Sequence, residues 1–249
     1  MSIGIIVQAR MGSTRLPGKI LKPFHQDKSI LDILLGNLHK VKDAKVIVAT
    51  STNPNNDELE RYLQQKGELV YRGFEDDVLD RFICAAEAHD IDRIIRIFSD
   101  NPFMDYNGVS LLAEKASGSN ADYIGFRINN MPSIKTHFGF WGEYVTLNAL
   151  KKVRDTSNDS IAHEHVTIHV YTHPEEYKCE WIECPAFLQG RDDIRLTIDT
   201  EEDMENARKV YSCLIHEHGD FSLEEVVAYL DLHPELKQSM KTIITKNNK

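Results

Sequence analysis

The chain has 249 residues, of which 41% are hydrophobic and 27% charged, and its 29 Lys and Arg against 39 Asp and Glu give a net charge of −10. The apolar fraction is sufficient for one sizeable core, and the length suits one large α/β domain or two small ones. This composition excludes a fibre, a repeat array and an intrinsically disordered chain.

The charge is unevenly distributed along the chain. Residues 1–26 contain four basic residues and no acidic one, a charge of +4, whereas the other 223 residues, with 25 basic and 39 acidic side chains, carry −14. An acidic chain with one small basic segment lacks the broad basic face of a nucleic-acid-binding protein. A local anion-binding site and a chance clustering of solvated cations both remain compatible with the charge alone.

The sequence shows no sign of a membrane or secreted protein. The start of the chain, up to Val7, has no basic segment and too few apolar residues for a signal peptide, and no other stretch approaches the roughly 20 apolar residues of a membrane span. We therefore expect a cytoplasmic protein without a membrane partner. The four cysteines, Cys84, Cys179, Cys184 and Cys213, match no common zinc spacing and are expected to be reduced.

Short β-branched runs alternate with amphipathic stretches through the first half of the chain, a pattern typical of a parallel sheet covered by helices. The five predicted strands are Ile3–Gln8, Lys45–Thr50, Leu69–Tyr71, Arg93–Ile97 and Asp122–Gly125. An apolar stripe with helical spacing runs from Ile30 to Leu38 behind Ser29 as N-cap, and further stripes begin at Leu59 and Val78. Each of these helices is predicted to be a crossover connection between parallel strands.

The pattern changes after Gly125, where residues 127–137 have no clear periodicity and are predicted to form a loop. The elements predicted beyond it are strands at Phe138–Glu143, Lys178–Glu183 and Arg195–Asp199, and helices at Val145–Val153, Ala162–Thr172 and Glu201–His216. Two short helices are predicted from Ser222 onwards. We interpret residues 1–249 as one α/β domain with a lobe around 127–190 and a helical tail at 220–249.

The strongest local signal directly follows the first predicted strand. Residues 8–19 read Gln-Ala-Arg-Met-Gly-Ser-Thr-Arg-Leu-Pro-Gly-Lys, and ligands of open parallel sheets bind beyond the carboxyl ends of the strands. Gly12 lets the backbone approach phosphate oxygens, and Ser13 adds hydrogen-bond donors. Arg10, Arg15 and Lys19 neutralise negative charge. The segment matches neither the P-loop nor the Rossmann glycine pattern; it favours a polyphosphate site over an ordinary glycine–proline turn.

Two further predicted strands lead into a carboxylate. Asp100 follows the apolar strand that starts at Arg93, and Asp199 ends the segment that starts at Arg195. Mg²⁺ prefers one or two carboxylates together with phosphate oxygens and water. Each aspartate alone is better explained as a strand-end cap or a turn residue, but the pair beside a phosphate loop predicts a magnesium site.

Asp90 and Asp92 match the Asp-x-Asp pattern of metal-dependent glycosyltransferases. They precede the strand at Arg93 and so lie at the end of the sheet away from the expected ligand crevice. An exposed turn is the better interpretation of this pair.

Four histidines are clustered in the predicted helix and just beyond it: His163, His165, His169 and His173. Zinc binding is the less favoured interpretation, because Thr167 stands where the His-Glu-x-x-His motif requires its second histidine. A set of histidines that is satisfied internally or faces a substrate is favoured.

Five segments resemble, in order, the spore coat polysaccharide biosynthesis protein F group of the cytidylyltransferases, relatives of the synthetases that make CMP-activated acidic sugars. They are residues 8–19, 71–81, 99–102 (Ser-Asp-Asn-Pro), 164–167 (Glu-His-Val-Thr) and 195–200 (Arg-Leu-Thr-Ile-Asp-Thr). The resemblance covers roughly residues 3–212. It implies a nucleotide-diphosphosugar-transferase-like (GT-A-type) fold, a three-layer α/β sandwich with a mostly parallel sheet. It also implies CTP as donor, Mg²⁺ as cofactor and a homodimer.

The resemblance assigns roles to matching positions. The implied nucleotide-binding residues are Gln8, Ala9, Arg10, Met11, Gly12, Ser13, Arg15, Lys19, Arg72, Asp80 and Arg81. The implied catalytic residues are Lys19, Arg10 and Asp100, with the two cations stabilising charge on the α-phosphate and the leaving pyrophosphate. Asp100 and Asp199 would hold Mg²⁺. For the side chains of residues 72–81, an ordinary amphipathic helix start explains the pattern equally well.

The acceptor is less well defined by the sequence. Residues 131–140 lack the acidic residue that relatives usually carry there and contain Lys135 and His137 instead, which favours an anionic acceptor such as an acidic sugar, a carboxylate or a phosphate. His165 is expected to contact the acceptor or a dimer partner, and the lobe around 127–190 would serve acceptor binding or dimerisation.

The main hypothesis is a Mg²⁺-dependent cytidylyltransferase that supplies a CMP-activated building block for a surface polysaccharide such as a capsule or spore coat. A nucleotide-sugar glycosyltransferase and a non-catalytic nucleotide-binding protein are the alternatives.

Overall fold

The computed structural model describes residues 2–246 of the chain. Its strands are β1 Ile3–Gln8, β2 Pro23–His25, β3 Lys28–Ser29, β4 Lys45–Ser51, β5 Leu69–Gly73, β6 Arg93–Phe98, β7 Tyr123–Ile128, β8 Met131–Pro132, β9 Glu143–Thr146 and β10 Cys179–Glu183. Its helices are α1 Ile30–Leu38, α2 Asp57–Gln65, α3 Val78–Ala88, α4 Tyr106–Gly118, α5 Leu147–Thr156, α6 Ser160–His165, α7 Ile168–Thr172, α8 Glu201–His218, α9 Leu223–Leu232 and α10 Pro234–Lys246.

The central sheet has the strand order β10-β7-β9-β6-β1-β4-β5, with the short β8 paired to β7. β1 is parallel to β4 and β6, β4 is parallel to β5, and β7 is parallel to β10. Only β8 and β9 run antiparallel to their neighbours among the described strands of this sheet. Gln8 at the end of β1 lies opposite Phe98 at the end of β6. The loops after β1 and β6 therefore leave the sheet at the same edge.

The strands are buried on both faces because helices cover both sides of the sheet. Along β1, Ile5 and Val7 belong to one hydrophobic core and Ile6 to the other, as expected for side chains that alternate between the faces of a strand. Helices α1, α2, α4, α8, α9 and α10 contribute to the first core, and α3, α5, α6 and α7 to the second. This arrangement confirms the predicted three-layer α/β sandwich with a mostly parallel sheet.

The five strands predicted in the first half are present, but the bounds predicted in the second half need correction. The strand predicted at Phe138–Glu143 begins only at Glu143. Gly139 has a φ of 68°, a conformation that interrupts an extended strand. The helix predicted at Val145–Val153 begins at Leu147, because the Thr146 side chain caps it by accepting a hydrogen bond from the backbone N–H of Ala149.

The histidine-rich helix predicted at Ala162–Thr172 is wrong as a single element, since the segment forms the two short helices α6 and α7. Val166 between them has a φ of 57°, which a β-branched residue rarely adopts. The next residue, Thr167, is buried and donates a hydrogen bond of 2.9 Å to Glu143 Oε2. The break in the helix accompanies this burial of Thr167.

The last predicted strand, Arg195–Asp199, is also wrong, because the segment does not join the sheet. Its backbone hydrogen bonds go to two separate loops: the Leu196 N–H donates to the His137 carbonyl at 2.9 Å, and the Ile198 N–H donates to the Asp100 carbonyl at 3.1 Å. Leu196 and Ile198 are buried in the core. The alternating apolar pattern of this segment therefore results from its burial between two loops and not from pairing in the sheet.

The tail predicted as two helices forms α9 and α10, which contact each other and α8. The end of the predicted tail, residues 247–249, lies outside the described residues. In the part of the chain that the structure covers, no helix combines the length and the apolar character needed to cross a membrane.

A buried ion pair links the middle of the sheet to the α6–α7 break. Arg96 on β6 faces Glu143 on β9 in the antiparallel register, and the two residues are 2% and 1% exposed. Arg96 Nη1 lies 3.3 Å from Glu143 Oε2 and donates to the His165 carbonyl at 2.8 Å. Glu143 also accepts hydrogen bonds from Tyr123 and Thr167. The pair therefore fixes the chain near His165 against the sheet.

We expect Arg96→Met to destabilise the fold, because it leaves Glu143 buried without a cation. Removing one partner of a buried ion pair costs about 3–5 kcal/mol, which urea unfolding would show as a lower midpoint. Arg127→Met is the matched control, since Arg127 pairs with Glu183 on the surface and such pairs contribute below about 1 kcal/mol. An equal decrease in the free energy of unfolding for the two variants would contradict the structural role of Arg96.

Candidate active site

The loop after β1 is anchored on its inner side and open on its outer side. The Met11 N–H donates to Asn56 Oδ1 at 2.9 Å, and Asn56 Nδ2 donates to Ser51 Oγ at 2.7 Å. Ala9 is buried. The exposed residues of the loop are Arg10, Gly12, Thr14, Arg15 and Pro17. Backbone amides and two arginines are therefore accessible to an anion at the carboxyl edge of the sheet.

Lys19 turns from this loop into the protein. Gly18 adopts a φ of 66°, which favours glycine, and a short 3₁₀ turn at Lys19–Leu21 follows it. The Lys19 Nζ atom lies 2.7 Å from Asp100 Oδ2 and 3.3 Å from Asp199 Oδ1. It also donates to the Ile198 carbonyl. The structure thus brings the predicted catalytic lysine and both predicted metal ligands together.

Asp199 is surrounded by cations. Its Oδ1 atom lies 3.1 Å from Arg15 Nη2, and its Oδ2 atom accepts a hydrogen bond of 2.9 Å from Arg195 Nη2. Burial raises the pKa of Asp199, but the charges of Lys19, Arg15 and Arg195 outweigh burial and hold that pKa below its ordinary value. The carboxylate therefore stays ionised at neutral pH and can bind a cation.

The donor chemistry of Asp100 and Asp199 fits a divalent cation. One oxygen of each carboxylate approaches the same ammonium group, so the two oxygens already converge on one positive charge. Residues 2–246 contain no group of three or more His, Cys, Asp or Glu side chains that could hold a metal ion. A cation here would therefore need phosphate oxygens or water as further ligands, as Mg²⁺ prefers.

A cavity of about 590 Å³ opens beside the two aspartates, a volume that suits a small-molecule ligand. Its lining includes Lys135, His137 and His165, so the structure brings together the three residues predicted to bind an acceptor. Lys135 Nζ lies 5.6 Å from the ring centroid of Tyr171. The aromatic residues of the lining are Phe98, Phe138, Phe140, Trp141 and Tyr171.

Arg72, predicted to bind the nucleotide, is occupied by protein groups instead. Its Nη1 atom donates to Glu60 Oε2 at 2.6 Å, its Nη2 atom lies 2.8 Å from Asp57 Oδ1, and its Nε atom donates to the Ser51 carbonyl at 2.9 Å. These contacts join β5 to α2 and to the end of β4. A nucleotide contact of Arg72 stays a prediction that this geometry does not favour.

Arg81 and Asp80 lie in the first turn of α3. Arg81 is 3% exposed and donates from Nη1 to the Phe74 carbonyl at 2.6 Å, so it holds the backbone that connects β5 to α3. Asp80 Oδ1 lies 3.8 Å from Arg154 Nη1. Arg81 thus supports the loop between β5 and α3, whereas Asp80 faces α5; a direct contact of either side chain with the nucleotide stays a prediction.

The four histidines do not converge on one point in the structure. His163 Nδ1 lies 2.8 Å from Asp77 Oδ2, whereas His169 and His173 stack on each other with ring centroids 4.0 Å apart. His165 lines the cavity. The preference for internally satisfied or substrate-facing histidines over a zinc site stays a prediction.

Sequence reasoning missed two buried arginines in the lining of the cavity. Arg195 bonds to Asp199, and Arg96 Nη2 donates to Gln8 Oε1 at 3.1 Å. The sequence indicates both residues: Arg195 is the first residue of the matched segment 195–200, and Arg96 is a charged residue within an otherwise apolar stretch of β6. Charged residues in such positions are almost never fully buried unless they are paired.

The fold and the site together define a nucleotidyltransferase of the nucleotide-sugar transferase type. The sequence model of the family described as cytidylyltransferase matches residues 4–237 of the chain. The chain is 35% identical over 239 residues to the spore coat polysaccharide biosynthesis protein SpsF of Bacillus subtilis, and the match covers 92% of this chain and 94% of SpsF.

Solved structures that resemble this chain also include cytidylyltransferases. A cytidylyltransferase from Leptospira borgpetersenii serovar Hardjo-bovis is 31% identical with a TM-score of 0.80, covering 96% of this chain and 97% of its own. The structure of a CMP:2-keto-3-deoxy-manno-octonic acid synthetase complexed with CTP shares the fold at 15% identity, with a TM-score of 0.65 and coverages of 86% and 99%.

The chain therefore belongs to the cytidylyltransferase family and is a CTP-dependent nucleotidyltransferase. This result confirms the resemblance found in the sequence. It also decides against the glycosyltransferase and against a non-catalytic nucleotide-binding protein.

The contact between His163 and Asp77 predicts a pH-dependent stability. Burial lowers the pKa of His163, but the hydrogen bonds to the Asp77 carboxylate and the Ser157 carbonyl outweigh burial and raise that pKa above its ordinary value. The charged ring donates both bonds, whereas a neutral ring donates only one. The stabilisation is therefore complete below the unfolded-state pKa of about 6.5 and is lost as the pH rises through the folded-state pKa.

We expect His163→Gln to lower the Tm relative to wild type more at about pH 6 than at about pH 8.5, because the charged contact is lost as the pH rises through the folded-state pKa. Thermal unfolding in a pH series measures this difference. His39→Gln is the control, because His39 pairs with Glu68 through a half-exposed ring. A pH-independent difference for His163→Gln would rule out the charged contact.

Proposed function

We propose that this cytidylyltransferase is Mg²⁺-dependent, transfers CMP from CTP to an anionic acceptor and releases pyrophosphate, within surface polysaccharide biosynthesis. The observation that carries the proposal is the convergence of Lys19, Asp100 and Asp199 at the carboxyl edge of the sheet, beside a cavity with cationic lining. The similarity to SpsF supports the polysaccharide pathway. The homodimer and the cytoplasmic location expected from the sequence are part of the same proposal.

The loop after β1 would hold the triphosphate. Arg10 and Arg15 are exposed at its outer side. Arg10 can form a bidentate contact with phosphate oxygens, and Arg15, which pairs with Asp199 through Nη2, can offer its remaining donors. Gly12 has no atom within 4 Å of the position of a Cβ, so the backbone there leaves space for a phosphate. Lys19 Nζ donates to Asp100, to Asp199 and to the Ile198 carbonyl, and a phosphate oxygen would replace one of these three acceptors while the ammonium stays close to a carboxylate.

Asp100 and Asp199 would hold the metal, and Mg²⁺ bound there would neutralise phosphate charge and polarise the reacting phosphate. Asp199 contributes an ionised carboxylate because three cations surround it. Asp100 contributes a second carboxylate from the loop that follows β6. Because the two side chains come from segments distant in the sequence, the site exists only in the folded chain.

In the reaction, an acceptor oxygen forms a bond to the α-phosphorus of CTP, while the bond from that phosphorus to the bridging oxygen of pyrophosphate breaks. The electron pair of the broken bond leaves with pyrophosphate, and any proton on the acceptor oxygen passes to solvent. The protein contributes position and charge rather than a covalent step. Lys19 and Arg10 stabilise the charge that develops on the α-phosphate and on pyrophosphate.

Charge balance in the cavity supports an anionic acceptor. Arg15 and Arg195 pair with Asp199, and Arg96 pairs with Glu143. Lys135 instead faces the ring of Tyr171, and no carboxylate lies within ion-pair distance of it among the described residues. Its charge is therefore available to a carboxylate or phosphate of the acceptor.

A thermal-shift panel tests the donor and the metal. CTP with Mg²⁺ should raise the Tm, CTP alone should raise it less, and UDP-sugars should leave it unchanged. A ligand that binds only the folded state at 100 times its Kd contributes about 2.7 kcal/mol. A response to UDP-sugars but not to CTP would contradict the proposed function.

We expect Lys19→Ala and Asp100→Ala each to reduce turnover roughly 10²–10³-fold, the usual loss for one electrostatic contact to a transition state. Pyrophosphate release with CTP and Mg²⁺ measures this against a panel of acidic sugars, phosphorylated polyols and phosphorylated amino-acid derivatives. Lys22→Ala is the matched control, because Lys22 lies at the surface near Glu201. Wild-type-like pyrophosphate release from either site variant would overturn the assignment.

Lys135→Met should raise the KM for the acceptor at least about tenfold, the cost of roughly 1.4 kcal/mol, and leave the KM for CTP unchanged. Lys152→Met is its control: Lys152 Nζ lies 4.3 Å from the ring centroid of Tyr177, a similar cation–aromatic contact outside the cavity lining. Steady-state kinetics with the acceptor found in the panel give both KM values. A KM change confined to CTP would place Lys135 at the nucleotide instead.

A further inference from the structure

Arg195 is 2% exposed, and its guanidinium joins three groups. The Nε atom donates to Asp203 Oδ1 at 2.7 Å, and the Nη2 atom donates to Asp199 Oδ2 at 2.9 Å. The Nη1 atom lies 2.7 Å from His137 Nδ1. Asp203 is itself fixed at the start of α8, where it accepts a hydrogen bond from the Thr200 N–H. The guanidinium plane is therefore held in one orientation.

The contact with Arg195 determines the tautomer of His137. An arginine side chain has hydrogen-bond donors but no acceptor, so His137 Nδ1 must accept and the ring hydrogen must lie on Nε2. The His137 carbonyl accepts hydrogen bonds from the N–H groups of Leu196 and Thr197 at 2.9 and 3.2 Å. Side chain and backbone of His137 are thus both bound to the segment that carries Arg195, and the residue lines the cavity.

The same guanidinium also orients Asp199. Arg195 binds the Oδ2 atom, whereas Lys19 and Arg15 approach the Oδ1 atom at 3.3 and 3.1 Å. Rotation of the carboxylate plane away from this orientation would break the bond to Arg195. Arg195 therefore holds one oxygen of Asp199 away from itself and toward the proposed cation site.

We propose that Arg195 is a positioning residue that serves both sides of the reaction. It presents Oδ1 of Asp199 to the cation, and it holds His137 as a fixed hydrogen-bond donor in the wall of the acceptor cavity. Because Nε2 carries the hydrogen and Nδ1 is engaged by Arg195, His137 binds an acceptor oxygen and does not take up its proton. The statement about the reaction rests on the proposed function, whereas the tautomer of His137 does not.

A purely structural role would need only the bonds from Arg195 to Asp203, which stabilise the start of α8. The test must therefore measure the tautomer of His137 and the affinity of the cation site, and not only the stability of the fold. Arg195→Lys keeps the buried charge but removes the planar set of donors, so it cannot reproduce the contacts with Asp203, Asp199 and His137 together. Arg191→Lys is the matched control, because Arg191 shortly precedes Arg195 and pairs with Asp193 nearby and with Asp231 on α9.

Nitrogen-15 NMR of the histidine rings tests the tautomer without substrate, and the signals of His137 are those lost in His137→Gln. In wild type we expect the signature of a protonated Nε2 and an unprotonated Nδ1. In Arg195→Lys the hydrogen should distribute over both nitrogens, and in Arg191→Lys the signals should match wild type. A protonated Nδ1 in wild type, or unchanged signals in a folded Arg195→Lys, would overturn the proposal.

Binding of Mn²⁺ in the presence of CTP, followed by electron paramagnetic resonance, tests the effect on Asp199. Groups that orient a metal ligand typically contribute 10–100-fold to metal affinity, so Arg195→Lys should weaken Mn²⁺ binding by roughly that factor and Arg191→Lys should not. Unchanged affinity in Arg195→Lys would overturn the statement about Asp199. Absence of Mn²⁺ binding in wild type would contradict the proposed function and leave the NMR result to decide the role of Arg195 at His137.

Discussion

The Lys19 ammonium, held between the carboxylates of Asp100 and Asp199, is the interaction on which the site depends. Two carboxylates in one location repel each other, and one of them becomes protonated unless a cation compensates. The compensation comes from a separate segment, since Lys19 follows β1, Asp100 follows β6 and Asp199 precedes α8. Parallel pairing of β1 with β6 brings the first two to the same edge, and the buried, apolar Ile198 carries the third into place.

Buried charge recurs in the layer of residues beneath this site. Arg96 with Glu143 and Arg195 with Asp203 are each at most 2% exposed. Replacing a buried ion pair by apolar residues is often neutral or stabilising, so stability alone does not account for two such pairs beside one cavity. What they share is a third contact: Arg96 holds the His165 carbonyl, and Arg195 holds Asp199 and His137. Each buried pair thus also fixes a further group beside the cavity.

The sequence predicts those parts of the molecule that depend on local pattern. Strands β1, β4 and β6 are rich in β-branched residues, and the loop after β1 combines glycine with cations at a strand end, so both follow from neighbouring residues. The break at Val166 depends instead on the bond from Thr167 to the distant Glu143. The segment Arg195–Asp199 is extended because Leu196 and Ile198 bond to loops 59 and 98 residues away, at His137 and Asp100. A motif match likewise gives the position of Arg72 but not the direction of its side chain.

The two substrates are therefore expected to be recognised by different physical means. At the loop after β1, exposed arginines and backbone amides offer charge to a triphosphate, a contact that depends little on exact geometry. In the cavity, the arginine charges are already compensated by carboxylates, and selectivity must come from oriented single groups such as His137 and Lys135. Sites built from oriented hydrogen-bond donors reject ligands that lack the matching group by large factors, about 10⁴–10⁵ in favourable cases. The acceptor should accordingly be selected by the position of its anionic group and of one hydrogen-bond-accepting oxygen, more than by its size.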